Sequence, residues 1–239
     1  MKSVMSCICG LLLWPLTLSA NTPATEIMYL SGHDTDDPVT WRFRCSDGMN
    51  SGKWSEIEVP SCWEQQGFGA YTYGRFYLDK NARPSSETGE YRHSFSVPPE
   101  WKGKTVRIVF EGVMTDASVR INGRSAGSTH QGGFTSFAYD ISRLLRYGGE
   151  NTLEVMVNKE SDNRSVNAAE RRADWWLFGG IYRPVYLEVL PARHISKYMT
   201  DARADGSLRV RLSTSDLPPG SVLTAEIDGC APRTCSLGH

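Results

Sequence analysis

The sequence has no excess of charge of either sign. Its 26 basic and 27 acidic side chains leave a formal net charge of −1, so nothing in the composition points to nucleic acid or to an anionic membrane surface. A long helical period is missing as well. So are a Ser-His-Asp set, a glycine-rich phosphate loop and a cluster with metal-ligand spacing. Apolar runs are short, apart from one at the start of the chain. Cysteine is scarce beyond that run, limited to Cys45, Cys62, Cys230 and Cys235. What remains is a set of short alternating segments separated by turn residues, which is the signature of a β-sandwich or barrel.

The one apolar run lies in MKSVMSCICGLLLWPLTLSA, residues 1–20. Lys2 supplies a positive start, the apolar stretch follows, and Leu-Ser-Ala precedes Asn21. This pattern predicts a signal peptide cleaved after Ala20. A membrane-spanning helix needs about 20 consecutive apolar residues, which the run does not reach. No cysteine stands just after it to take a lipid. The expectation is therefore a periplasmic or secreted protein, with no membrane attachment after cleavage. Export permits disulfides, and four cysteines allow three pairings. Cys230, Cys235 and His239 form a C-x4-C-x3-H pattern without a fourth ligand, so no metal site and no cofactor are expected. Cys45 and Cys62 read equally as a bridge or as small buried apolar side chains.

Beyond residue 20 the strands can be placed. WRFRC (Trp41 to Cys45), EYRHSFSV (Glu90 to Val97) and TVRIVFEG (Thr105 to Gly112) alternate. DASVRINGRSAG (Asp116 to Gly127) predicts a hairpin, because Asn122-Gly123 suits the positive φ angles of a tight I′ turn. GGFTSFAYDI (Gly132 to Ile141), NTLEVMV (Asn151 to Val157) and GIYRPVYLEVL (Gly180 to Leu190) are further strands. Between two of them, DISRLLRYGGEN predicts a short helix capped by Asp140 and ended by Gly148-Gly149. Two connections are long, 62–84 and 159–172. Long loops on an all-β scaffold are where binding groups sit.

The composition changes at Pro191. The segments after it, HISKYMTDAR, GSLRVRLSTS and VLTAEIDG, predict three strands of a second sandwich. An immunoglobulin-like sandwich takes about seven strands over roughly 100 residues. The expected organisation is a signal peptide at 1–20, a jelly-roll sandwich at 21–191, and an incomplete immunoglobulin-like sandwich at 192–239.

One stretch does not reduce to punctuation. RRADWWLFGGIYRPVYLE, Arg171 to Glu188, sets two arginines, a carboxylate and two tryptophans before a Gly-Gly corner. One reading is a corner plugged by aromatic core. The other is a rim for sugar: a carboxylate accepts hydrogen bonds from neighbouring hydroxyls, and an indole face packs on the C–H face of a pyranose. Arg171 and Arg172 would orient Asp174 or keep it ionised. In VPSCWE, Trp63 is expected in the core. His130 in STHQGGF reads as a structural loop histidine rather than a ligand.

Taken in order, KWSEIEVPSCWEQQGFG, YGRFY, EYRHSFSVPPEWKGKTVRIVFEGV, ASVRINGRSAGSTHQGGFTSFAYDI and RRADWWLFGGIYRPVYLE closely resemble the N-terminal sugar-binding domain of glycoside hydrolase family 2. The resemblance covers about Thr25 to Pro191, and the remainder resembles the start of that family's immunoglobulin-like domain. It implies an aspartate that reaches from this domain to a sugar held beside a catalytic barrel. The matching residue is Asp174, followed by Trp175; Trp175 and Trp176 are candidate sugar contacts by the chemistry of their indole faces, with a place in the core as the other reading. Some β-galactosidases of the family add an asparagine from the earlier aromatic loop. YTYGRFY has none, and Gly74 or Arg75 takes its place. Arg75 reads either as a solvated surface arginine or as a residue that would favour a charged sugar through bidentate pairing, and the missing asparagine puts plain galactoside specificity in question.

The resemblance also implies retaining hydrolysis by two glutamates about 5–5.5 Å apart. In this family both lie on a (β/α)8 barrel of roughly 250 residues, and no segment of this chain matches it. Glu64, Glu90, Glu111 and Glu188 sit in sandwich motifs and are not candidates. The expectation is the N-terminal portion of an exported β-glycosidase, without catalytic residues of its own. Its partners would be a carbohydrate and the catalytic barrel, and a homo-oligomer is compatible with the sequence. The alternatives are a stand-alone carbohydrate-binding module and a structural sandwich without sugar affinity.

Overall fold

The computed structural model describes residues 25–74, 85–172, 174–226, 228–229 and 233–236. The predicted signal peptide therefore lies outside the described residues, as do Arg75, Cys230 and His239. Two antiparallel sheets pack face to face. Their strands are β1 (Glu26–Tyr29), β2 (Val39–Cys45), β3 (Ser55–Val59), β4 (Thr72–Tyr73), β5 (Thr88–Ser96), β6 (Thr105–Phe110), β7 (Val113–Met114), β8 (Asp116–Ile121), β9 (Arg124–Ser125), β10 (His130–Gln131), β11 (Phe137–Asp140), β12 (Glu150–Asn158), β13 (Trp176–Leu177), β14 (Gly180–Ile181) and β15 (Val185–Leu190). One sheet runs β1-β15-β6-β11, and the larger runs β10-β8-β12-β5-β2-β3 with β9 beside β8. Two short ribbons, β4 with β13 and β7 with β14, lie outside both sheets.

The alternation seen in the sequence is the alternation of burial. Val106, Ile108 and Phe110 of β6 face inward, as do Leu153, Val155 and Val157 of β12 and Val185, Leu187 and Val189 of β15. Trp41, Phe43, Trp63 and Tyr91 join the same core. Side chains with period 2 on both inner faces make such a sandwich core about 10 Å thick. The hairpin at Asn122-Gly123 forms with φ of 52° and 76° at its two tip residues, as a I′ turn requires.

The predicted helix after Asp140 is not there. Asp140 accepts a hydrogen bond from the Ser142 amide at 2.9 Å, but the chain then makes turns and a single bridge from Tyr147 to Val97. The backbone groups a helix would need are committed elsewhere. The Ile141 amide donates to Val106 at 2.9 Å, the Leu144 carbonyl accepts from Asn122 at 2.9 Å, and the Arg146 amide donates to Asn151 at 2.7 Å. Tertiary partners override a weak local preference. Conversely, the polar stretch after Lys159 holds a helical turn at Arg164–Val166, continued as a wider turn at Asn167–Arg171.

After Leu190 come β16 (His194–Ala202), β17 (Leu208–Ser215), β18 (Val222–Ala225) and β19 (Arg233–Ser236). They pair as β16 with β17 and β18 with β19, apart from the two main sheets. Tyr198, Met199, Leu208 and Val210 on the first pair are exposed.

His93 stacks on Trp41, with ring centroids 4.8 Å apart and planes 16° apart. Burial holds its pKa below the ordinary 6.5. A histidine kept neutral in the fold contributes stability above the unfolded-state pKa, and that contribution is lost as pH falls from about 6.5 through the folded value. The stability advantage of the wild type over His93→Gln is therefore expected to shrink below pH 6.5, as read by urea denaturation at a series of pH values. A gap that widens on acidification would contradict it.

Candidate functional site

The stretch that resisted a purely structural reading folds as one side of a small two-stranded tongue. Trp176 pairs with Tyr73 and Leu177 with Thr72, and the Gly74 amide donates to the Trp175 carbonyl at 2.7 Å. Two segments about a hundred residues apart in sequence are thereby zipped together at one end of the sandwich. At the tip the Tyr73 hydroxyl bonds the Asp174 carboxylate.

The tongue is aromatic on its outside. Trp175 is 46 % exposed and Trp176 50 %, so neither is the core residue that a plugged corner would require. Trp176 meets Tyr71 edge-on at 5.9 Å and Tyr73 at 5.1 Å, and Tyr71 meets Phe178 at 6.2 Å. Exposed, mutually braced aromatic faces beside a carboxylate offer apolar area and hydrogen-bond acceptors together, which is the chemistry of saccharide recognition. Tyr73 is the residue that sequence reasoning missed. The sequence offers Gly74 or Arg75 in place of the family's asparagine, whereas the β4–β13 ribbon sets Tyr73 opposite Trp176, from where its hydroxyl reaches the Asp174 carboxylate two residues earlier.

Beneath the tongue lies a buried charge cluster. Lys159 Nζ is 2.7 Å from Glu64 Oε1 and 3.3 Å from Glu87 Oε1, with the lysine and Glu64 side chains fully buried and Glu87 nearly so. Glu64 accepts from the Gly179 amide at 3.1 Å with both oxygens. Glu87 accepts from the Trp63 indole at 2.7 Å and the Ala70 amide at 2.9 Å. Lys159 also donates to the Ala70 carbonyl. Burial raises the Glu64 pKa above the usual 4.5, while Lys159 and the Gly179 amide pull it back.

Arg171 departs from expectation. Rather than orienting Asp174, its guanidinium runs inward. It donates to the Phe178 carbonyl at 2.6 Å and lies against the Met114 sulfur, and desolvation lowers its pKa. It braces the tongue from below. Arg172 is exposed. His130 is structural: its Nε2 is 2.9 Å from the Gly132 carbonyl and its ring stacks on Phe137 at 3.9 Å.

Three of the four glutamates that the sequence excludes as catalysts are engaged in the scaffold. Besides Glu64, Glu90 pairs with Arg44 and Glu188 with Arg107. Cys45 and Cys62 are free thiols, pushed by burial up to about 11 and about 12. Among the described residues no group of three His, Cys, Asp or Glu side chains could hold a metal ion.

Known proteins are similar to this chain in sequence and in fold. The chain is 36% identical over 145 residues to a β-galactosidase of Thermoanaerobacter pseudethanolicus, covering 58% of this chain and 19% of that protein. It is 30% identical over 158 residues to a β-glucuronidase of Bacteroides fragilis, covering 65% and 20%. A β-glucuronidase structure from Faecalibacterium prausnitzii superposes with a TM-score of 0.60 at 23% identity, over 89% of this chain and 40% of that one; at that identity the likeness speaks for the fold. The chain thus spans about a fifth of the length of these curated relatives. Residues 40–191, well over half the chain and inclusive of the whole tongue, match the sugar-binding domain of glycosyl hydrolases family 2, and the chain belongs to that family.

Proposed function

We propose that this chain is the N-terminal, sugar-contacting part of an exported retaining β-glycosidase, with Asp174 as its main sugar contact and Trp175 and Trp176 beside it. The observation that carries this reading is the exposed tongue. A carboxylate and two half-exposed indoles stand together on a ribbon with its base locked in the core. A sugar docked there would meet hydrogen-bond acceptors and an apolar face at once. The two catalytic glutamates would belong to a barrel domain of the complete enzyme. A relative of this chain acts on β-galactosides and another on β-glucuronides by name, so both sugars are first probes.

The isolated chain is expected to bind a methyl β-glycoside weakly and to hydrolyse no aryl β-glycoside. Titration with methyl β-galactoside and methyl β-glucuronide, followed by NMR, reads the binding. Asp174→Ala is expected to weaken it by at least about tenfold, since a hydrogen bond to a charged group contributes about 1.5–3 kcal/mol. Undiminished binding in that variant would remove Asp174 from the site. Hydrolysis abolished by a glutamate substitution within this chain would overturn the assignment of catalysis elsewhere. Tight glycan binding by a natural product of this length would favour the free-standing binding module.

A further inference from the structure

Three charges taken out of water need a reason. Lys159, Glu64 and Glu87 are all buried, and desolvation of such groups commonly cancels their mutual attraction. An apolar trio of similar volume would stabilise the fold as well or better. What an apolar trio could not do is fix backbone direction. The hydrogen bonds of the cluster are distributed accordingly. Glu64 takes the Gly179 amide, Glu87 takes the Ala70 amide, and Lys159 donates to the Ala70 carbonyl. Ala70 and Gly179 lie at the same end of the two-stranded tongue, two residues before β4 and two after β13.

The cluster is itself anchored beside an interior strand of the large sheet. Lys159 follows directly on β12, which pairs with β5 on one side and β8 on the other. The Lys159 amide donates to the Glu87 carbonyl at 3.0 Å, and its carbonyl accepts from Thr115 Oγ1 at 2.9 Å. Glu64 lies in the turn Trp63–Gln66, whose leading tryptophan is fully buried.

We infer that Glu64, Lys159 and Glu87 are positioning residues: they clamp both roots of the Tyr73–Asp174 tongue to the central strand of the large sheet and so set where Asp174 meets the sugar. This rests on the reading of Asp174 as a sugar contact. Sites held to within about half an ångström need such a supporting layer, because a loosely held carboxylate loses affinity without any change in its own chemistry.

The test uses the full 239-residue chain and four variants: Glu64→Ala, Glu64→Gln, Asp174→Asn and a remote core control, Ile108→Val. Methyl β-galactoside and methyl β-glucuronide are titrated, and amide exchange is followed at Gly74, Leu177 and Gly179. Glu64→Ala is expected to weaken binding by about tenfold, while Ile108→Val at a matched distance below its melting temperature leaves it unchanged. Glu64→Gln keeps an oxygen on the Gly179 amide and is expected to restore affinity to within about threefold. In the Asp174→Asn background Glu64→Ala should cost nothing further, since a double-mutant cycle reports coupling between positions. Exchange should accelerate at the three tongue amides and not in β6 or β12.

Equal losses in Glu64→Ala and the core control would overturn the inference, as would additivity with Asp174 or exchange that rises uniformly. If the wild type binds neither glycoside, the sugar-contact reading fails by itself. The exchange pattern then still decides whether the cluster clamps the tongue.

Discussion

Replacing Lys159 by alanine should cost about 3–5 kcal/mol, the range for removing one partner of a buried ion pair. That is a large share of the 5–15 kcal/mol that holds a typical domain folded. The ammonium serves two buried carboxylates and the Ala70 carbonyl. Without it Glu64 and Glu87 face each other in the core with their attraction gone and their desolvation kept. The loss should also depend on pH in a definite sense. Burial raises the folded-state pKa of Glu64 above 4.5, and removing the lysine removes the main opposing influence. A carboxyl with a raised folded pKa contributes stability below its unfolded value and loses it as pH rises through the folded one. The variant should therefore stand closest to the wild type in acid and fall away as pH climbs above about 4.5. Urea denaturation at several pH values checks this. A constant gap would mean that lost packing, not uncompensated charge, dominates. Neutralising all three positions together, as Glu64→Gln, Glu87→Gln and Lys159→Met, should recover much of the stability while leaving the tongue less well directed.

The sandwich was legible because its physics is local. Period-2 alternation in TVRIVF or VYLEVL is written in consecutive residues, and the inward set it implies, Val106, Ile108 and Phe110 or Val185, Leu187 and Val189, is the observed core. The Asn122-Gly123 hairpin was equally plain, since the turn dictates its own residues. What failed were elements that depend on distant partners. Asp140 looks like a helix cap, but Asn122 at the hairpin tip and Asn151 of β12 claim the backbone that a helix would need.

The candidate site was legible only in outline. Asp174 and the two tryptophans stand together in sequence, and their exposure could be weighed in advance as one of two readings. Tyr73 could not be reached from Asp174 by any local pattern, because a ribbon joining segments 101 positions apart sets the contact. The buried cluster was hidden for the same reason. Glu64, Glu87 and Lys159 come from three separate connections, and each alone reads as an ordinary solvated charge. Arg171 misled in the opposite direction. Its place beside Arg172 suggested a shared role at Asp174, yet one side chain runs into the core and the other is exposed.

Gly179→Ala should be as damaging as the loss of Lys159, for a steric reason that reaches the same tongue. A Cβ at position 179 would lie 2.1 Å from Cζ2 of Trp63 and 2.5 Å from two neighbouring ring atoms. The indole cannot retreat. Its N–H is held by Glu87 at 2.7 Å, and its far edge already sits so close to Gly89 that a Cβ there would come within 2.6 Å. The chain at 179 must move instead. Movement breaks the bond from the Trp63 amide to the Gly179 carbonyl at 3.0 Å, and the pair of bonds from the Gly179 amide to Glu64. A single methyl thus combines overpacking with a buried carboxylate that loses its backbone amide partner, and the expected cost is about 3 kcal/mol or more. Gly180 next to it has φ of 130° and faces the Ser61 carbonyl, so the strain cannot be passed one residue along. The measurement is paired: urea denaturation for stability, and glycoside titration on the folded fraction at low temperature. Stability lost together with glycoside affinity is the expected result, because the root of the tongue shifts. Stability lost with affinity intact would mean that the tongue tolerates a displaced root, and would separate the corner's role in packing from any role in presenting Asp174.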